Sequence, residues 1–148
     1  MRTVTVSTLL DAPADAVWAA VKRPASFLAV SRRLLSVPAL RGRTEPWHEG
    51  ETVRSWIFLF GVIPFSYHHL TVASIDDHRR ILRSDERGGP IRVWRHDIEV
   101  VPVSPTRCRY EDRIEIDAGF LTALVTGYAH AFYRLRQRRW RQLAPTLR

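Results

Sequence analysis

A chain of 148 residues with 45% apolar and 10% aromatic residues suits a globular protein of one domain's usual size, and no stretch approaches the ~18 apolar residues of a membrane span. Cys108 is the only cysteine, which excludes an intrachain disulfide and a cysteine-based zinc site. The formal charge is +8, but of the 23 basic residues only Lys22 is a lysine, a skew that points to a coding preference more than to a patch built for nucleic acid.

The opening "RTVTVSTLL", residues 2–10, alternates β-branched residues and predicts a strand with Val4, Val6 and Thr8 on one face. It lacks the continuous apolar stretch of a secretion signal, and the lone cysteine makes a cytoplasmic location the expectation. The period then changes. In "PADAVWAAVK" Pro13 suits a helix's first turn, Asp15 its positive end, and Val17, Trp18 and Val21 form an apolar stripe. Pro24 ends or restarts that helix, "PASFLAVSRR" predicts a second short one, and "LLSVPALRG", which contains Pro38, is at most an edge strand.

From about residue 51 to 117 the pattern is strand-like, with breaks at 61–64, 76–78, 87–90 and 104–105, and this spacing predicts an antiparallel meander. After Asp117, an N-cap candidate, Leu121, Leu124, Val125, Tyr128, Phe132 and Leu135 recur at helical spacing in one long helix stopped by Pro145. Gly127 inside that helix costs about 1 kcal/mol relative to alanine and asks for a compensation, such as room for a ligand or for a close strand. No repeat, low-complexity tract or linker is present, so residues 1–148 are expected to form one α+β domain in which a curved antiparallel sheet wraps the C-terminal helix.

The order of these segments resembles the START-like, or SRPBCC, superfamily and its helix-grip fold. The resemblance runs through "DAPADAVWAAVKRPASF", "EGETV", "GVIP" and "AFYRLRQRRWRQL"; "DERGGPIRVWRHDIEV" and "YEDRIEI" are similar to a bacterial branch with Trp-x-His on one late strand and Asp on the next. It implies a cavity between sheet and helix for a lipid, polyketide or quinone-like molecule, or an aromatase/cyclase-like activity. The chain departs from many relatives at "EIDAGFLTAL", where a Pro-Gly-containing segment often precedes the last helix, and this implies a different cavity entrance.

Residues 94, 96, 98 and 100 share one strand face, as do 108, 110, 112, 114 and 116 on the next. A two-residue loop at Ser104-Pro105 would need positive φ angles that proline cannot supply, so a three-residue connection is expected. Without a bulge such a loop pairs residues of equal parity and brings His96 near Asp112, whereas a bulge would separate them. Together, the two could hold a ligand's polar group, act as a general base with its orienting acid, or simply satisfy each other's polarity. Trp56, Tyr67, Trp94, Tyr110, Leu124 and Tyr128 are the remaining ligand-contact candidates, since an aromatic residue offers a large apolar surface, and tryptophan or tyrosine adds one polar tip.

No metal or cofactor is expected: His68 and His69 are adjacent on a strand and face opposite ways, and His130 stands alone on the helix. There is no Gly-x-Ser-x-Gly elbow and no Gly-rich phosphate loop. Arg134, Arg136, Arg138, Arg139 and Arg141 could contact RNA or an anionic membrane, although arginines also suit a helix's C-terminal end and a solvated face. Nucleic acid is the disfavoured partner, peripheral membrane contact stays open, and a hydrophobic or aromatic small molecule is the leading partner. The oligomeric state is not set by anything in the sequence.

Overall fold

The computed structural model describes residues 1–147. Its strands are β1 (Arg2–Leu10), β2 (Leu35–Ser36), β3 (Thr52–Leu59), β4 (Ile63–Asp76), β5 (Ile81–Gly88), β6 (Ile91–Ser104) and β7 (Arg107–Asp117). They form one antiparallel sheet in the order β1-β7-β6-β5-β4-β3-β2. The helices α1 (Ala14–Val21) and α2 (Pro24–Val30) carry the chain from β1 to the short edge strand β2, and α3 (Thr122–Leu143) follows β7. The expected meander and its four turns are therefore present.

The ladders β3–β4, β4–β5, β5–β6 and β6–β7 each contain one register shift. Bulges of this kind bend a strand and increase its twist, and here they accompany a sheet curled into a half-barrel against α3. Gly88 sits at one such shift. A Cβ there would lie 2.5 Å from His68 Nδ1 and 2.8 Å from the Tyr67 carbonyl oxygen, so β4 and β5 can approach only over a glycine.

The β6–β7 connection differs from the expected three-residue loop. Pro105 and Thr106 form a two-residue turn with no positive φ, and a bulge at Val103 shifts the register from Pro102↔Cys108 to Ser104↔Arg107. The extra residue restores equal-parity pairing, so the bulge brings the two inward faces together instead of separating them.

The α1 stripe is as expected: Val17, Trp18 and Val21 are buried. Trp18 Nε1 and Lys22 Nζ each donate to Asp77 Oδ1 at 2.8 Å, and Arg80 donates to Asp15, which ties α1 to the β4–β5 turn. The loop before β3 is closed by two bonds from the Arg43 guanidinium to Glu51, at 2.8 and 2.7 Å. Two apolar clusters result. One joins α1, α2 and the far halves of β6 and β7 through residues such as Leu10, Val17, Tyr110 and Trp140; the other joins β1, the near halves of β6 and β7, and α3 through Val4, Trp94, Ile114 and Tyr133.

The helix seam also departs from expectation. The buried residues of α3 are Ala129, Tyr133, Arg136, Gln137 and Trp140, while Leu124 is 72% exposed and Leu135 36% exposed. Polar residues occupy the seam where apolar spacing pointed elsewhere, because the helix meets the β1–β7 end of the sheet on one side and overhangs open space on the other. Gly127 has nothing within 4 Å of an added Cβ, so no close strand accounts for it.

Candidate functional site

Between the concave sheet and α3 lies a hollow of about 340 Å³. It follows from strand parity: Ile57 and Leu59 of β3, His68 of β4, Glu86 of β5, and Trp94 and His96 of β6 point inward, and Leu124, Val125, Tyr128, Phe132, Tyr133 and Arg136 of α3 face them. Phe27 of α2 closes one side. Smaller spaces of about 40 and 30 Å³ share Phe27 and Glu86 with the main hollow.

Leu124, Tyr128 and Phe65 are both lining and exposed, so the hollow reaches the surface between the β3–β4 hairpin and the start of α3. Phe60, Val62 and Ile63 on the hairpin are also more than half exposed, as is Phe120 in the 3₁₀ turn Gly119–Leu121 that precedes α3. That turn replaces a simple N-cap: Asp117 Oδ1 accepts from Gly119 N at 2.9 Å, one turn ahead of the helix. The segment "EIDAGFLTAL" runs through this turn at the mouth of the hollow.

At the inner end, His96 Nε2 meets Asp112 Oδ1 at 2.7 Å. Asp112 is fully buried; it also accepts from Tyr110 Oη at 3.2 Å and from Gln137 Nε2 at 3.0 Å, and Gln137 Nε2 bonds the Val6 carbonyl as well. A buried carboxylate is tolerable only with such a set of donors. Burial, with the Asp112 charge adding to it, pushes the Tyr110 phenol well above its ordinary value, so Tyr110 is a permanent donor here. Burial likewise raises Tyr133.

His96 lines the hollow, whereas Asp112 lies one layer behind it. The pair can therefore present an imidazole, oriented by a carboxylate, to whatever occupies the space.

Of the other candidates, Trp94, Leu124 and Tyr128 line the hollow. Tyr110 does not: it is fully buried behind Asp112, with its ring 5.2 Å from that of Trp140. Trp56 and Tyr67 lie on the opposite, convex face, 52% and 47% exposed. They pair directly across β3–β4 and meet edge to face at 6.0 Å, because β3 turns its odd residues inward and β4 its even ones.

Sequence reasoning missed Glu86 and Arg136 as lining residues and gave His68 no such place. The signal for Glu86 was its parity with Leu82 and Ser84, which face Ile98 and His96 across the ladder as Glu86 faces Trp94. Glu86 accepts from Ser84 Oγ at 3.2 Å and lies 3.6 Å from His68 Nε2; His68 Nδ1 in turn is 3.3 Å from Ser66 Oγ. Among the described residues no three His, Cys, Asp or Glu side chains converge as metal ligands would.

The five C-terminal arginines do not all share one surface. Arg136 is 3% exposed and turned inward, Arg139 donates to the carbonyls of Val30 and Arg32, and Arg141 donates to Thr8 Oγ1 at 2.9 Å. Arg134 and Arg138 are exposed, and Tyr133 and Trp140 are buried, which removes the aromatic platform that stacking on bases requires. No helix among the described residues is long and apolar enough to cross a membrane.

No curated protein matches the chain in sequence. Solved structures do match in fold. A START superfamily protein from Mycobacterium smegmatis superposes with a TM-score of 0.72 at 11% identity, over 97% of each chain. Norcoclaurine synthase from Thalictrum flavum, solved with dopamine and hydroxybenzaldehyde, gives 0.68 at 12% identity over 96% of this chain and 85% of that one. The di-domain ARO/CYC protein BexL gives 0.67 at 18% identity over 96% of this chain and 46% of its own. At these identities the likeness is one of fold, and the fold is the START-like helix grip. Residues 8–144 match a family described as "Domain of unknown function (DUF8410)", and the chain belongs to that family.

Proposed function

We propose that residues 1–148 act as one ligand-binding domain that holds a hydrophobic or aromatic small molecule, such as a lipid, polyketide or quinone-like compound, in the hollow under α3. The observation that carries this reading is the hollow itself: about 340 Å³, bounded by Leu35, Ile57, Ile91, Val125 and aromatic rings, with only a few polar groups among them. Small-molecule sites commonly have this size and character. The apolar entrance between the β3–β4 hairpin and α3 suits the passage of such a guest. A cytoplasmic setting belongs to the same proposal and rests on the lone buried Cys108.

A second reading, a cyclase-like enzyme, is favoured by one feature. His96 faces the hollow with Asp112 fixed behind it at 2.7 Å, the arrangement of a base and its orienting acid. Fold neighbours that include norcoclaurine synthase and an ARO/CYC protein keep this reading alongside the first.

Native mass spectrometry of the purified protein, followed by organic extraction, tests the binding reading. The expected result is an apolar compound that co-purifies with the wild type and is lost from Val125→Trp, which fills the hollow. If extracts of the two proteins are identical, and neither takes up any of a panel of fatty acids, quinones and polycyclic aromatic compounds, the reading is wrong.

A further inference from the structure

Arg136 is the one cation of α3 that the fold turns inward, at 3% exposure, and it lines both the main hollow and the smaller space beside His96. Its guanidinium carbon lies over the rings of Tyr133, Phe27 and Phe132 at 5.2, 5.3 and 5.7 Å. Among the described residues it has neither an ion pair nor a hydrogen bond, and its Nε is fully buried without an acceptor.

The carboxylates closest to the site are engaged elsewhere: Asp112 with three donors, Glu86 with Ser84 and at ion-pair distance from His68. Burial opposes the charge on Arg136, while the nearby Asp112 and Glu86 carboxylates favour it, and a guanidinium stays protonated.

Trp140 Nε1, on the wall of the smaller space, is another buried donor without an acceptor. The hollow thus holds a guanidinium that no side chain bonds directly, beside a further buried donor without an acceptor. Leaving a desolvated guanidinium unpaired is costly, and ring faces recover only part of that cost. A planar fork of N–H groups fits a carboxylate through two parallel bonds, which an ammonium could not make.

We propose that Arg136 anchors a carboxylate carried by the apolar guest, so that the ligand class is an amphipathic carboxylic acid whose tail or ring fills the hollow. This rests on the reading of the hollow as a ligand site. The acid group lies at the inner end, near His96, and the apolar body extends toward Leu124 and the mouth.

The test is calorimetric titration with a matched pair of probes, decanoate and decan-1-ol, which share a tail and differ in charge. Wild type is expected to bind decanoate at least tenfold more tightly than decan-1-ol. Arg136→Met, which keeps the stem and removes the charge, should abolish that preference while holding decan-1-ol affinity within about threefold. Arg138→Met, on the exposed face, should change neither affinity.

Because Arg136→Met could fail to fold, the Arg136 Nε–H resonance of the wild type supplies a second readout: it should shift on adding decanoate and stay in place with decan-1-ol. Equal affinity of the wild type for both probes, or a preference that survives in Arg136→Met, would overturn the anchor while leaving the hollow as a ligand site. Binding of neither probe by the wild type overturns both.

Discussion

His96 and Asp112 touch at 2.7 Å although the residue directly across the ladder from His96 is Ile114. The contact is a diagonal one on the inward face, and it exists because the Val103 bulge and the two-residue turn together preserve parity. Asp112 gathers three donors from β6, β7 and α3, so it joins sheet to helix between the two apolar clusters. Asp112→Ala leaves those donors buried and unpaired. It should lower the free energy of unfolding by about 2–4 kcal/mol in urea denaturation. A loss below about 1 kcal/mol would mean that the network is not a structural tie.

His96→Gln should behave differently. A glutamine amide can still donate toward Asp112, so stability should fall by less than about 1.5 kcal/mol, and affinity for an uncharged apolar probe such as decan-1-ol should stay within about threefold. A general-base role would appear instead as a drop in turnover of about 10²–10⁴ once a substrate is in hand. The two measurements separate a polar fixture from a catalytic group.

Much of this architecture was legible in the sequence, and the reasons for the rest are physical. Period-2 alternation located all the long strands, and the paired even faces of β6 and β7 brought His96 and Asp112 together, because strand parity survives any loop that preserves it. Parity on β3 and β4 was not tied to that frame, since bulges in the intervening ladders alter it; Trp56 and Tyr67 therefore came to rest on the convex face. On α3 the apolar spacing followed the overhanging side, while the seam against the sheet was built from Ala129, Tyr133, Arg136, Gln137 and Trp140, in which small and polar residues interrupt the apolar pattern.

Gly127 is exposed on α3 and has open space around an added Cβ. Gly127→Ala should therefore stabilise the protein by about 0.5–1 kcal/mol, through helix propensity and a less flexible unfolded chain. Thermal unfolding would register it as a raised Tm. A lowered Tm would place an unseen close contact at this position.

The Arg43–Glu51 pair makes a pH-dependent contribution. Hydrogen bonding from Arg43 holds the Glu51 carboxyl below the ordinary glutamate value, with His48 N adding a further bond. A carboxyl whose folded value is lowered stabilises the fold fully above its unfolded value, and the gain is lost as pH falls through the folded value. Glu51→Gln should therefore be less stable than wild type by about 1 kcal/mol at pH 7. The gap should narrow as pH drops below about 4.3. A gap that does not change between pH 7 and pH 3 would show that charge is not its source.

The account depends on an empty, largely apolar space beneath α3, and methyl NMR under xenon pressure measures that space directly, since xenon enters dry apolar cavities whatever the natural guest. With protein refolded after organic extraction, Leu35, Ile57, Ile91 and Val125, which line the hollow, should show saturable shifts, while Val17 and Val30 of the packed cluster stay in place. Absence of saturable shifts at those four lining residues would contradict it.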